Sequence, residues 1–269
     1  MPPDYLFKYT PLRAPSDEKR QKQLDDLLLA PHLWFAAPES FNDPMDCRPG
    51  FAFDGGTPEE REKFRQTVIK AKVKHDHPDA QGDHCRNLLE EYARQYPQFD
   101  ESLCRMGHAL LSKDLQNTVG VLCLSENDRD PVMFYHYAAG HTGMCLKFRS
   151  LDFFAFAEPV QYGMDYPVVD FFDDTDKQSQ FERIFLTKYQ GWEYEHEWRV
   201  INFRKDPAKR LTAYPIELLE GVIFGRLMSP EDRDYATNLL KQRGSPVTLY
   251  EAKLNDRHFL LDITMLGTI

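Results

Sequence analysis

Four short segments of this chain are dense in side chains that can carry charge, stack on a flat ring or exchange a proton. The densest is Gly191-Trp192-Glu193-Tyr194-Glu195-His196-Glu197-Trp198-Arg199-Val200. On a strand, alternation puts Tyr194, His196, Trp198 and Val200 on one face and Glu193, Glu195, Glu197 and Arg199 on the other. Three like charges along one face repel unless water or cations meet them. Two arrangements satisfy that pattern. One is a solvated outer face over an aromatic core face. The other is a pair of carboxylates lining a cleft, with Arg199 holding one of them in position.

The segment from Leu33-Trp34-Phe35 to Asp46 leaves an apolar strand and enters a turn at Asn42-Asp43-Pro44, a sequence that favours side-chain to backbone hydrogen bonds. A turn alone accounts for it, yet it delivers Asn42, Asp43 and Asp46 to the end of a strand, where site residues often sit. Residues 133–143 bring together Tyr135, His136, Tyr137 and His141 before a glycine-punctuated turn. Tyr135 and His136 cannot both point at the core from one short helix, so one of them faces a cleft or a polar partner. Lys8 and Tyr9 lie on the first strand-like run. His75, His77, His84 and Cys85 have metal-binding chemistry, but the group sits at a predicted helix end and lacks a matching second half. No metal is expected. The Rossmann, P-loop, nucleophile-elbow and zincin motifs are all absent from the sequence.

These segments need a scaffold, and the composition supplies one. The 269 residues, 42% hydrophobic and 13% aromatic, describe an ordinary globular chain. A formal charge of -10 argues against affinity for a phosphate backbone as the main activity, although a local cationic pocket for one anionic ligand is compatible with it. Five widely spaced cysteines without a CxxC pair fit reduced thiols in a cytoplasm. The N-terminus lacks the charged and apolar regions of a cleaved signal, and no apolar run is long enough to span a bilayer. A cytoplasmic protein without membrane contact is expected.

Periodicity and capping signals predict strands at 6–9, 32–37, 119–124, 144–148, 160–162, 193–203, 218–224 and 247–250. Helices are predicted at 16–29, 132–138, 177–189 and 230–243, and three more lie between 57 and 116. The first of those three opens with Thr57-Pro58-Glu59-Glu60, a capping-box pair with proline at the first helical position. Many strands with irregular helix placement indicate an α+β fold: a central mixed or antiparallel sheet with flanking helices. The expected organisation is one domain over 1–269, with 57–116 as a helical insertion.

The chain resembles the bacterial family known as domain of unknown function two-nine-seven-one. The resemblance rests on Phe7-Lys8-Tyr9, on Leu33-Trp34-Phe35 with Phe41-Asn42-Asp43-Pro44, and on residues 121–125. It extends to Tyr135-His136-Tyr137-Ala138 with His141, to Gly143-Met144-Cys145-Leu146, and to residues 192–199. It covers most of the chain outside 57–116. A more distant likeness is to ADP-ribosyltransferases, which carry a cation or histidine on the first strand, an aromatic or hydroxyl residue on a following strand and a late Glu-x-Glu. Those roles would fall on Lys8, on Trp34 beside Phe35, and on Glu195 with Glu197. Lys8 stands where histidine or arginine is usual, and Trp34 where tyrosine is usual.

That likeness implies a split sheet and NAD as co-substrate, with an ADP-ribosyltransferase-like or NAD glycohydrolase-like activity of a toxin or phage-defence effector. Cleaving the nicotinamide–ribose bond develops positive charge on the ribose, which a positioned carboxylate stabilises. Glu197 would take that role and Glu195 would orient the acceptor. Lys8 and Tyr9 would meet the dinucleotide, with Trp34 stacking on nicotinamide. His136, Asn42, Asp43 and Arg199 would complete the pocket. The acceptor would be a protein or nucleic acid, and a partner toxin or antitoxin protein is implied. Two rivals remain at this stage. One is a metal-dependent nuclease or phosphodiesterase that gathers Asp43, Asp46, Glu195 and Glu197 around Mg²⁺. The other is a non-enzymatic sensor or interaction module.

Overall fold

The computed structural model describes residues 1–173, 175–203 and 209–269. The chain divides into two compact units. The first comprises Met1–Ala36, Gly120–Tyr162 and Gln190–Ile269, and the second comprises Ala37–Val119 and Gly163–Tyr189.

The fold is α+β, and the first unit is built on a mixed eight-stranded sheet. Across it the strands run Leu261–Thr268, Thr248–Leu254, Leu219–Phe224, Met144–Arg149, Tyr5–Thr10, Val119–Ser125, Glu197–Phe203 and Glu158–Pro159. Leu219–Phe224 and Thr248–Leu254 are parallel, whereas Tyr5–Thr10 is antiparallel to both of its neighbours. Those two neighbours hold it unequally. Its register with Met144–Arg149 is continuous from Tyr5↔Arg149 to Thr10↔Met144. On the other side, among the described residues, it meets Val119–Ser125 at the one position Phe7↔Ser125.

Both faces of the sheet are covered, which is why its central strands read as apolar runs rather than as strict alternation. On one face Leu6, Leu122, Leu124, Leu146, Phe148 and Val222 pack with Leu27 and Leu28 of the Glu18–Leu29 helix and with Ala236 and Leu240 of the Pro230–Lys241 helix. On the other, Phe7, Tyr9, Cys145 and Ile223 pack with Met133 and Phe134 of the short Pro131–Tyr137 helix. Asp130 starts that helix by accepting from Val132 N at 2.7 Å and Met133 N at 3.0 Å. Proline follows at the first helical position.

The second unit contains the helices Pro58–Asp76, Gly82–Gln95, Glu101–Thr118 and Lys177–Leu186, and a parallel pair of short strands, Gly50–Ala52 and Val168–Asp170. Three of these helices occupy the stretch expected to be helical. The Thr57–Glu60 capping box forms in both directions: Thr57 N donates to Glu60 at 2.7 Å and Glu60 N to Thr57 Oγ1 at 3.3 Å. Phe64, Val68 and Leu103 form a core ringed by Phe53, Phe99 and Phe171. Among the described residues no helix is long and apolar enough to cross a membrane, and no cysteine forms a disulfide.

Three expectations need correction. The strand expected over 193–203 begins at Glu197; Gln190–Glu195 is a 3-10 helix, and His196 joins the two in the left-handed region at φ 45°. The helix expected to reach Tyr189 ends at Leu186, and Thr187–Tyr189 is extended. Leu261–Thr268 forms an edge strand with no counterpart among the predicted strands, pairing with Thr248–Leu254 from Leu254↔Leu261 to Thr248↔Thr268. Most of its side chains are exposed, so burial imposes little alternation there.

Candidate functional site

His196 decides where the two central carboxylates go. A strand would have set Glu193, Glu195 and Glu197 in one row. With His196 left-handed, Glu193 is exposed while Glu195 and Glu197 are 2% and 5% exposed. The row of three repelling charges therefore does not form. Residue 196 is held from outside its own segment: Glu126 N donates to His196 O at 3.1 Å, and the Glu126 carboxylate lies 3.4 Å from His196 Nδ1 and accepts from Trp198 Nε1 at 2.9 Å.

Glu195 is gripped by the sheet and by the short helix. Its carbonyl accepts from Ser125 Oγ at 2.6 Å, and its carboxylate accepts from the Tyr137 hydroxyl. Around Tyr137 stands a partly exposed aromatic group. The His136 ring lies 6.2 Å from Tyr137, 6.2 Å from Trp192 and 6.4 Å from Tyr194, and Trp192 lies 6.1 Å from Tyr194. Both His136 and Tyr135 are exposed, so neither takes the core position; Phe134 and Ala138 do. Flat, half-accessible rings beside a desolvated carboxylate suit a ligand with a planar base and hydroxyls.

Glu197 and Arg199 share a face of the Glu197–Phe203 strand, as alternation predicts. The pair is bidentate, with Arg199 Nε donating to Glu197 Oε1 at 2.8 Å and Nη2 to Oε2 at 2.9 Å, and Arg199 is 1% exposed. The Glu197 backbone N–H donates to the Tyr162 hydroxyl at 2.8 Å. Cys123, on the neighbouring strand, also hydrogen-bonds Glu197. Burial, with the Glu197 charge, pushes its thiol far above the usual range. Half-buried Lys8 donates to Cys123 O at 3.3 Å. Burial pulls its ammonium below lysine's ordinary range, and the Arg20 charge adds to this, while Cys123 and Glu197 act against it. Lys8, Cys123, Glu197 and Arg199 thus form one electrostatic group beside the place where Tyr5–Thr10 and Val119–Ser125 meet at a single position.

Tyr9 and Trp34 complete the candidates of the first unit, and Tyr9 packs in the same cluster as Tyr137 and Tyr194. Tyr9 is buried, its hydroxyl donating to Asn127 O at 2.7 Å and its ring standing edge-on to Phe134 at 4.9 Å. Trp34, 37% exposed, sits on a two-stranded ribbon opposite Leu211. Asn42 and Asp43 belong to the second unit. There Asp43 makes the turn bond expected of it, accepting from Met45 N at 2.8 Å. Asp46 lies 3.7 Å from Lys188, with both side chains nearly sealed from water. Among the described residues no group of three or more His, Cys, Asp or Glu is arranged to hold a metal ion.

Tyr137, Trp192, Tyr194 and Cys123 have no role in the pocket expected from the sequence. Tyr137 and Trp192 carried a signal in their aromatic density, but their convergence is tertiary. Compared with protein-family models, with curated proteins and with solved structures, the chain matches none of them.

Proposed function

We propose that the first unit binds a nicotinamide dinucleotide and acts on its nicotinamide–ribose bond, as an ADP-ribosyltransferase-like or NAD glycohydrolase-like enzyme. The observation that carries this reading is the Glu195 carboxylate, withdrawn from water and held by Tyr137 beside the rings of His136, Trp192 and Tyr194. Two further features support it. The likeness to ADP-ribosyltransferases implies a split sheet, and the sparse pairing of Tyr5–Thr10 with Val119–Ser125 inside the eight-stranded sheet supports that reading. It also implies a first-strand cation near the late-strand glutamate, and Lys8 is within electrostatic reach of Glu197.

In this reading the nicotinamide ring stacks among the partly exposed aromatics. The carbon–nitrogen bond breaks with its electron pair leaving on nicotinamide, and the ribose carbon becomes cationic. A buried carboxylate stabilises that cation far better than one in water. Water or an acceptor hydroxyl then adds to the carbon, and its proton passes to Glu195. What supports Glu195 for the ribose contact is its hydrogen bond to Tyr137, whose ring adjoins those of His136, Trp192 and Tyr194. Glu197 then acts as a positioning residue that fixes the strand start. Membership of the family of domain of unknown function two-nine-seven-one, and a toxin or phage-defence role with its partner protein, stand on the resemblance of the motifs.

The test is nicotinamide release from NAD by the wild type, Glu195→Gln and Glu197→Gln, with and without protein and nucleic-acid acceptors. Glu195→Gln is expected to lose about a hundredfold or more in rate. Absence of release by the wild type, together with no shift of its melting temperature by NAD, rejects the reading. Equal rates for wild type and Glu195→Gln keep the activity and move its centre elsewhere.

A further inference from the structure

The second unit holds a cavity of about 510 Å³ along the Pro58–Asp76 and Glu101–Thr118 helices. Its wall is apolar: Phe64, Val68, Leu110, Leu111 and Phe171. The helices are drawn together at Gly107, where an added Cβ would stand 2.5 Å from Phe64 Cζ. The small, exposed side chains of Thr67 and Ala71 also line the cavity. Its volume falls within the range of small-molecule sites, about 300–1,000 Å³.

The rim is cationic in a chain whose formal charge is -10. Lys74, His75 and Lys113 line it, against one carboxylate among the lining residues, Asp114. Lys113 is positioned. Its Nζ lies 3.2 Å from His75 Nε2, and His75 Nδ1 lies 3.0 Å from Asp76 Oδ1. With the Nδ1 proton donated to Asp76, the Nε2 lone pair accepts from the Lys113 ammonium, which keeps that ammonium at the rim. Asp76 also accepts from Lys72 Nζ and from the Tyr92 hydroxyl, each at 2.8 Å, so its charge is already engaged. An apolar wall under two lysines selects a ligand with an apolar body and one negative end.

We propose that this cavity is a binding site for a small amphiphile with an apolar tail and a single carboxylate, of the medium-chain fatty-acid type. The tail displaces water from the Phe64–Leu111 side, and the carboxylate accepts from Lys74 and Lys113. The assignment is independent of the chemistry proposed for the first unit.

The intact chain is titrated with decanoate, decanol and decylamine by calorimetry and thermal shift. Decanoate is expected to bind and raise the melting temperature, decanol to bind about tenfold more weakly or worse, and decylamine not to bind. Lys113→Gln weakens decanoate about tenfold and leaves decanol unchanged. Ala71→Phe, on an exposed helical position, blocks both ligands while the circular dichroism spectrum is retained. No response to decanoate overturns the assignment. So does equal binding of decanoate and decylamine, or decanoate binding that neither variant alters.

Discussion

Replacing Arg199 by methionine is expected to destabilise the protein by about 3–5 kcal/mol, because it leaves the Glu197 carboxylate buried without its guanidinium. The magnitude follows from how far the pair is withdrawn from water: the side chains are 0% and 4% exposed, with two charge-assisted bonds at 2.8 and 2.9 Å. A loss of that size is a large share of the roughly 5–15 kcal/mol that keeps a domain folded. The exposed pair Arg105–Glu101 is the control. Its contact is shorter, at 2.6 Å, but its side chains are 69% and 84% exposed, so Arg105→Met should cost under about 0.5 kcal/mol. Replacing both Arg199 and Glu197 by methionine removes the stranded charge and should recover most of the loss. Urea unfolding of the wild type, Arg199→Met, Glu197→Met, their double variant and Arg105→Met, compared at unchanged m-value, measures each term. A loss under about 1 kcal/mol for Arg199→Met, or a double variant equal to the sum of the singles, would refute this account of the pair.

Gly225→Ala should destabilise by about 2 kcal/mol or more, since its Cβ would stand 2.2 Å from His141 O and 2.7 Å from Gly143 O, both backbone atoms that cannot swing aside; urea unfolding measures it. Tyr137→Phe should cost about 1–3 kcal/mol by removing a donor from buried Glu195. On the proposed chemistry it also slows nicotinamide release, and retention of full stability would contradict the contact. Burial, with the Arg226 charge, holds the His141 imidazole below its ordinary range. The unfolded chain therefore takes up this proton first, and stability falls as pH drops below about 6.5, the ordinary histidine value. His141→Asn, a residue that tolerates the left-handed backbone at φ 71°, should flatten that decline in urea midpoints measured from pH 7.5 to 5.5.

Helix starts were legible because their signals are local. Thr57 and Glu60 close their box within one turn, and Asp130 caps the helix that begins with its neighbour Pro131. The α+β class was legible because many strand-like runs alternate irregularly with helices, and the sheet is indeed mixed, with helices on both faces. Within the candidate site, pairing of Glu197 with Arg199 was readable, since two positions apart on a strand is one face. The Glu195 environment was not. Its partners Ser125 and Tyr137 are 70 and 58 residues away, and no short-range pattern encodes such contacts.

His196 shows why alternation failed where it did. A non-glycine residue in the left-handed region costs roughly 1–2 kcal/mol, so local preference alone would continue the strand through it. Glu126 opposes that preference from another strand's end, binding the backbone of residue 196 and the side chains on both sides of Glu197. The kink gives two neighbouring carboxylates different settings. Glu197 stays on the strand against Arg199, while Glu195 ends a 3-10 turn and accepts from the Tyr137 hydroxyl. A regular strand would have left both on one row with Glu193. One residue's backbone thus separates the two environments, and the left-handed conformation that does so is held by Glu126.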